Sequence, residues 1–272
     1  MISFPNAKIN IGLNILGKRA DGYHNLQTIF YPIALKDALE IIEAPGQIEH
    51  VKFSSSGLTI QGKEEDNLCI KAYQLLKKDF AQLPSVAMHL HKVIPMGAGM
   101  GGGSADGAFA LRLINSKFEL GLSTIQLQAY ALQLGSDCPF FILNKPCLAT
   151  GRGEILQPIP FDLSAYRILI VHPGIHINTA AAFSQIDIAP NTITLQELIN
   201  RPIASWKDDI LNDFEKPAFR EYPEIARIKA ALYENGAVYS AMSGSGSTVY
   251  GLFDLDDQPP IDFPQHYFSQ WV

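Results

Sequence analysis

Cysteine and charge are both scarce in this sequence of 272 residues, and each shortage removes a class of protein. Three cysteines, Cys69, Cys138 and Cys147, are too few and too far apart for a disulfide framework or a paired-cysteine metal site. They read as buried apolar thiols in a reducing compartment. Charged residues make up 18% of the chain, below the ~25% of an average domain, and the formal net charge is −6. That balance lacks the basic face a nucleic-acid polymer requires. It leaves room for a phosphorylated small molecule, which a few local cations or backbone amides suffice to hold. No stretch approaches the ~18 uninterrupted apolar residues of a membrane span. The start, Met-Ile-Ser-Phe-Pro-Asn-Ala-Lys, has neither the basic residues nor the apolar run of a signal peptide. The expectation is a cytoplasmic protein with no nucleic-acid or membrane partner.

What is present is an apolar fraction of 47%, enough to offset the ordering entropy of a packed fold. The first hundred residues read mainly as strands. Residues 9–15 alternate apolar and polar side chains, the period of a half-buried strand, and segments 27–33, 38–43 and 49–54 continue the style. One helix interrupts, with Asp66-Asn67 as its cap and Leu68, Ala72, Leu75, Leu76 and Phe80 as its apolar stripe. A strand over 86–93 leads into a glycine-rich loop. Beyond it, Ser104 opens a helix, and a second begins at Ser123, where Gln126 completes a capping-box spacing and Gly135 closes the element. A strand over 166–172, several helices, and a last strand–loop–strand (237–242, 243–246, 247–253) complete the chain. Helices and strands mix without regular βαβ alternation, which favours the α+β class. The Gly- and Pro-rich stretch 150–160 divides the chain into domains 1–150 and 151–272.

The most informative segment is Pro95-Met96-Gly97-Ala98-Gly99-Met100-Gly101-Gly102-Gly103-Ser104. Successive glycines free the backbone so that neighbouring N–H groups can turn toward one anion. The loop then enters a helix whose first N–H groups lack partners and whose dipole favours negative charge. A flexible linker is the bland alternative, but a linker seldom has a strand before it and a helix start directly after. Gly97, Gly99 and Gly102 satisfy GxGxxG. A dinucleotide fold, however, wants a strand apolar on both faces before the loop, whereas Met88-His89-Leu90-His91 alternates. No lysine follows the last glycine, so the loop is not a Walker motif. A nucleotide loop of a third kind remains.

Pro95 through Ala105 resembles the central motif of the kinases of galactose, homoserine, mevalonate and phosphomevalonate, the GHMP superfamily. Asn6-Ala7-Lys8-Ile9-Asn10 resembles its N-terminal motif, and Met242-Ser243-Gly244-Ser245-Gly246 its C-terminal glycine-rich one. The segment Lys18-Arg19-Ala20-Asp21-Gly22-Tyr23-His24-Asn25-Leu26-Gln27-Thr28 is similar to the signature of one branch. That branch phosphorylates the 2-hydroxyl of a cytidine diphosphate-linked methylerythritol on the non-mevalonate route to isoprenoid precursors. Asp66-Asn67-Leu68, residues 134–141, residues 150–154 and His172-Pro173-Gly174 match further landmarks of the same branch. Met100 stands where the branch mostly carries leucine, a volume-conserving change.

The resemblance implies two α+β lobes, the first like domain 2 of ribosomal protein S5 and the second ferredoxin-like. It implies ATP as phosphoryl donor, with Mg2+ carried by the nucleotide and no metal site built from protein side chains, and a monomer or weak homodimer. Residues 97–103 and Ser104 would hold the phosphates, with Pro95 and Met96 leading in. Phosphoryl transfer also needs an oriented, deprotonated hydroxyl. Asp137 lies on a constrained turn between Gly135 and Pro139; alone it reads more often as a helix cap, while the resemblance makes it the catalytic base. Lys8, on its own, reads more often as a solvent-facing strand residue; the resemblance sets it beside the base and the acceptor hydroxyl. Asn10 projects from the same strand face as Lys8 and would orient substrate. Tyr23 can stack on a pyrimidine and His24 can both donate to and accept from its edge. By resemblance Phe183 forms the other side of a sandwich around the base, against a core-packing alternative, and Thr179 lies near substrate. Asn67 and Lys92 are implied near the adenosine. His89 and His91 read as exposed strand residues without metal context.

Overall fold

The computed structural model describes residues 1–46, 50–186 and 194–272. Its strands are β1 (Ile2–Ser3), β2 (Asn6–Lys18), β3 (His24–Lys36), β4 (Ala38–Glu43), β5 (Val51–Gly57), β6 (Val86–Lys92), β7 (Cys147–Thr150), β8 (Ile155–Pro158), β9 (Tyr166–His172), β10 (Tyr239–Met242), β11 (Val249–Asp254) and β12 (Phe268–Trp271). Its helices are α1 (Leu68–Asp79), α2 (Gly102–Lys117), α3 (Thr124–Leu134), α4 (Cys138–Leu143), α5 (Thr179–Ser184), α6 (Leu195–Leu198), α7 (Trp206–Asp209), α8 (Glu215–Glu221) and α9 (Pro223–Glu234).

The chain divides into two compact units that interleave along the sequence: residues 1–7, 34–96 and 101–145 form one, and residues 8–33, 97–100 and 146–272 the other. A single cut between residues 150 and 151 does not describe this division. Strands β2 and β3 belong mostly with the second unit because they share a sheet, in the order β2-β3-β7-β8, with strands from beyond residue 145. Both units combine helices with largely antiparallel sheets, the α+β class.

In the first unit the sheet order is β1-β4-β6-β5, with β5 parallel to β6 and the other pairs antiparallel. Period-2 alternation along β6 buries Met88 and Leu90 and turns His91 outward. Helix α1 packs on α2 and β5 through Cys69, Ile70, Ala72, Tyr73 and Leu76. Its cap is Asn67, whose side chain accepts from the Cys69 N–H at 2.9 Å. Helix α3 is closed by the expected Ser123–Gln126 capping box and by Gly135. Two boundaries differ from expectation. Helix α2 starts at Gly102, ahead of Ser104, because Gly101 adopts φ +70° and no side chain caps it. Helix α4 is short and was not legible, since its six residues carry no amphipathic period; Asn144, at φ +50°, ends it. The strand expected over 49–54 is β5, which runs on to Gly57; Glu49 lies outside the described residues.

In the second unit an antiparallel sheet of order β10-β11-β9-β12 faces a core of Leu169, Val171, Phe214, Ile225, Ile228, Leu232, Val249 and Phe253. The Pro-rich end returns as β12, whose Trp271 ring meets Phe253 edge-on at 5.0 Å. All three cysteines are buried. Among the described residues, no helix is long and apolar enough to cross a membrane. Replacing Ser123 with alanine removes one side of the capping box and lowers unfolding free energy by about 1 kcal/mol. Urea denaturation of the two proteins checks this, and an unchanged midpoint would show the box to be idle.

Candidate active site

Between residues 97 and 101 the backbone alternates in hand. Gly97, Gly99 and Gly101 take φ values of +64°, +80° and +70°, with Ala98 and Met100 between them on the ordinary side. This alternation curls successive N–H groups into a concave nest for an anion, and only glycine reaches every second position without strain. Gly102 is required for a different reason. A Cβ there would lie 2.8 Å from Ile94 Cγ2 and 3.0 Å from Lys92 Nζ. Gly103 has open space around it, so its missing side chain leaves room for close approach to the helix start.

The carbonyls of the nest are held from behind, within the second unit. The Ala98 carbonyl accepts from the Thr248 N–H at 3.2 Å, and the Met100 carbonyl from the Lys8 N–H at 3.0 Å. The Gly99 carbonyl accepts from Ser243 Oγ at 2.8 Å and from Lys8 Nζ at 3.4 Å. The second glycine loop thus packs backbone on backbone against the first: a Cβ on Gly99 would lie 2.1 Å from the Ser243 carbonyl oxygen. Gly244 and Gly246 adopt φ +59° and +93° to make that turn. Asn212, which nothing in the sequence singled out, donates from Nδ2 to the carbonyls of Met242 and Gly244 at 2.7 and 2.8 Å. Thr179 Oγ1 and Ser245 Oγ are 3.0 Å apart, joining the start of α5 to the same loop.

Strand β2 contributes its polar side. Alternation there suggested one face in water; instead Asn6, Lys8, Asn10 and Asn14 are all buried, Lys8 at 3% exposure. The polar positions face a polar interior. Lys8 Nζ donates to Asn10 Oδ1 and lies 4.7 Å from the centre of the Phe30 ring. Asn10 in turn donates to Thr28 Oγ1 at 3.0 Å, and its backbone N–H to Ser243 Oγ at 3.1 Å.

In the first unit, Asn67, Lys92, Met96 and Gly103 line one cavity of about 430 Å³, together with Phe53, Leu90 and Asp106. Lys92 is buried between two carboxylates, at 2.5 Å from Asp37 Oδ2 and 2.8 Å from Asp106 Oδ2. Asp37 Oδ1 also accepts from the N–H groups of Val93 and Ile94. Burial alone would lower the Lys92 pKa, but its two carboxylate neighbours outweigh that and raise it. Burial pushes the Asp106 carboxyl up, and Asp106 Oδ1 has no hydrogen-bond partner among the described residues. The one available signal for Asp106 was a charge in an otherwise small and apolar helical run. Asp37 and Lys92 fasten the end of β6, and Asp106 ties α2 to it, behind the loop.

Asp137 occupies the capping position of α4, yet its carboxylate makes no capping hydrogen bond, so the cap reading does not hold. Burial pushes the next residue's thiol, Cys138, up to about 12, opposed by a hydrogen bond with Ser104, and this places the first turns of α2 and α4 together. In the second unit, the His24 and Phe183 rings stack with centroids 4.8 Å apart and an interplanar angle of 11°. Phe183 also meets Phe214 edge-on at 4.9 Å, so its core-packing role is real as well. Tyr23 is exposed, with the Arg152 guanidinium 4.7 Å from its ring.

The profile described as GHMP kinases N terminal domain matches residues 67–145, and that described as GHMP kinases C terminal matches residues 194–261. The 4-diphosphocytidyl-2-C-methyl-D-erythritol kinase of Bacteroides thetaiotaomicron is 51% identical over 260 residues, covering 96% of this chain and 94% of its own. A crystal structure of 4-(cytidine 5'-diphospho)-2C-methyl-D-erythritol kinase superposes with a TM-score of 0.80 at 30% identity, covering 93% of this chain and 90% of that one. The mevalonate kinase of Methanococcus jannaschii, at 14% identity and a TM-score of 0.68, shares the fold over 93% of this chain and 90% of its own.

Behind the second glycine loop lies another residue the sequence reading left without a role. His172 Nδ1 is 3.2 Å from Ser247 Oγ, and burial lowers its pKa from 6.5 to about 4. A proton that the unfolded chain binds below pH 6.5 is therefore refused by the folded one. Stability is full above pH 6.5 and falls as the pH drops toward 4, by about 3 kcal/mol at most. Urea unfolding of wild type and His172→Asn across that range should show the slope shrinking in the variant. Parallel curves would mean that His172 titrates normally in the fold.

Proposed function

Since the chain belongs to the GHMP kinases and, within them, to the 4-diphosphocytidyl-2-C-methyl-D-erythritol kinases, we propose that it transfers the γ-phosphoryl group of ATP to the 2-hydroxyl of that substrate, a step toward isoprenoid precursors. The observation that carries the site assignment is the burial of Lys8. Its ammonium is turned out of solvent and held at Asn10 Oδ1 and the Gly99 carbonyl, beside the glycine nest.

In this reading the N–H groups of residues 97–103 and the first turn of α2 hold the phosphates of MgATP, supported by the helix dipole. Pro95 and Met96 lead the chain into that seat, and the cavity lined by Asn67 and Lys92 receives the adenosine. A magnesium ion carried by the nucleotide would offset part of its charge. Asp137 accepts the proton of the 2-hydroxyl as its oxygen attacks the γ-phosphorus and the bond to the β-phosphate oxygen breaks. Lys8 stabilises the developing oxyanion. Asn10 and Thr179 orient the acceptor, and Ser243 to Gly246 brace the loop beneath it. Tyr23, His24 and Phe183 read the cytosine. With His24 already stacked on Phe183, the base takes the remaining faces and the histidine edge. The enzyme works on small molecules in the cytoplasm, as a monomer or weak homodimer.

ADP release coupled to addition of the diphosphocytidyl substrate tests the reaction, and its absence with folded protein would sink it. Asp137→Asn should lower turnover by about a thousandfold while binding an ATP analogue within a factor of about three of wild type. Near-normal turnover would remove Asp137 from the chemistry.

A further inference from the structure

Between β9 and α5 the chain passes beside the glycine nest, and there His176 stands against Gly97. A Cβ built on Gly97 would lie 2.8 Å from His176 Nδ1 and 3.0 Å from its Cε1. The backbone on each side of this histidine is anchored. Ser247 Oγ donates to the Ile175 carbonyl at 2.5 Å, and Ile177 is buried at 8% exposure in the core of the second unit. The Asn178 side chain caps α5 by accepting from the Ala181 N–H at 3.0 Å. Between these anchors the His176 side chain is exposed, and neither ring nitrogen has a hydrogen-bond partner among the described residues. A tethered loop thus presents an open imidazole at the first glycine of an anion-binding nest. Packing alone does not require this, since an exposed ring contributes little to the core.

We propose that His176 is a phosphate-binding side chain of this site, its ring N–H donating to a phosphoryl oxygen of a ligand seated on residues 97–100. An imidazole keeps at least one N–H donor in either protonation state. The role rests on the kinase reading and adds to the backbone nest a side-chain donor at its first glycine. Two phosphorylated ligands meet here in that reading, the nucleotide and the diphosphate bridge of the acceptor, and the shared chemistry is a phosphoryl oxygen.

Calorimetric titration of wild type and His176→Ala with ADP, adenosine, CDP and cytidine separates the sources. The variant should lose about tenfold in affinity for at least one diphosphate while the matching nucleoside binds as before. A loss confined to ADP assigns the contact to the donor, and a loss confined to CDP assigns it to the acceptor. His176→Asn, which retains an N–H donor, should recover part of the loss, and His176→Phe, which keeps the ring's bulk without a donor, should not. Unchanged affinity for both diphosphates, or an equal loss on nucleoside and diphosphate, overturns the proposal. Wild-type turnover, measured separately, reports on the kinase reading alone, so the two ideas can fail independently.

Discussion

The contact on which the site depends is the close approach of two glycine loops. Gly99 and Ser243 lie so near that any side chain on Gly99 would overlap a backbone carbonyl. One oxygen, the Gly99 carbonyl, is where the elements meet: it accepts from Ser243 Oγ and from Lys8 Nζ, while Ser243 Oγ also accepts from the Asn10 N–H. Carbonyls turned inward in this way fix the orientation of the peptides, and therefore the direction of their N–H groups, before any ligand arrives. Preorganised donors of this kind need no reorientation during reaction, which is the source of most electrostatic catalysis. Asn212 holds the far loop from beneath, so the geometry does not rest on the glycines alone.

The same arrangement would let a chain of net charge −6 hold the anionic ligands proposed for it. Overall charge matters for approach, whereas binding is decided over a few ångströms. In the proposed site the local donors would be backbone amides of a nest, a helix start and the ammonium of Lys8. The charge of Lys92 is not available in the same way. It is committed to Asp37 and Asp106, and its task is to hold β6 and α2 in place at the cavity that this account gives to adenosine. In the proposed site Lys92 is therefore a support and not a phosphate ligand.

Much of the local structure was legible because single residues determine it. Asn67 caps α1 and the Ser123–Gln126 box starts α3, each through a local hydrogen bond that sequence spacing predicts. Strands β4 and β9 follow the apolar pattern to their ends. What sequence could not show was which environment a polar face would meet. The alternation of β2 reads as half-exposed, but Asn6, Lys8, Asn10 and Asn14 are buried, with Lys8 and Asn10 bonded to each other and to the glycine loops. Period-2 patterning reports two unlike faces and not which of them is wet. Interleaving of the units was hidden for a related reason: β3, which carries β2 with it in the sheet, pairs with β7 more than a hundred residues away, and pairing partners leave no trace in composition. Helix α4 and strand β12 were too short for any period, and although Pro173-Gly174 mark a turn after β9, nothing local shows that His176 meets Gly97.

The account stands on the glycine nest as the phosphate seat. A crystal structure with a non-hydrolysable ATP analogue and CDP tests this most directly. Phosphoryl oxygens should lie about 2.7–3.2 Å from N–H groups of residues 97–103, with the carbonyls of residues 98–100 still bonded as they are here. Phosphates bound elsewhere, with the nest unliganded, would contradict it.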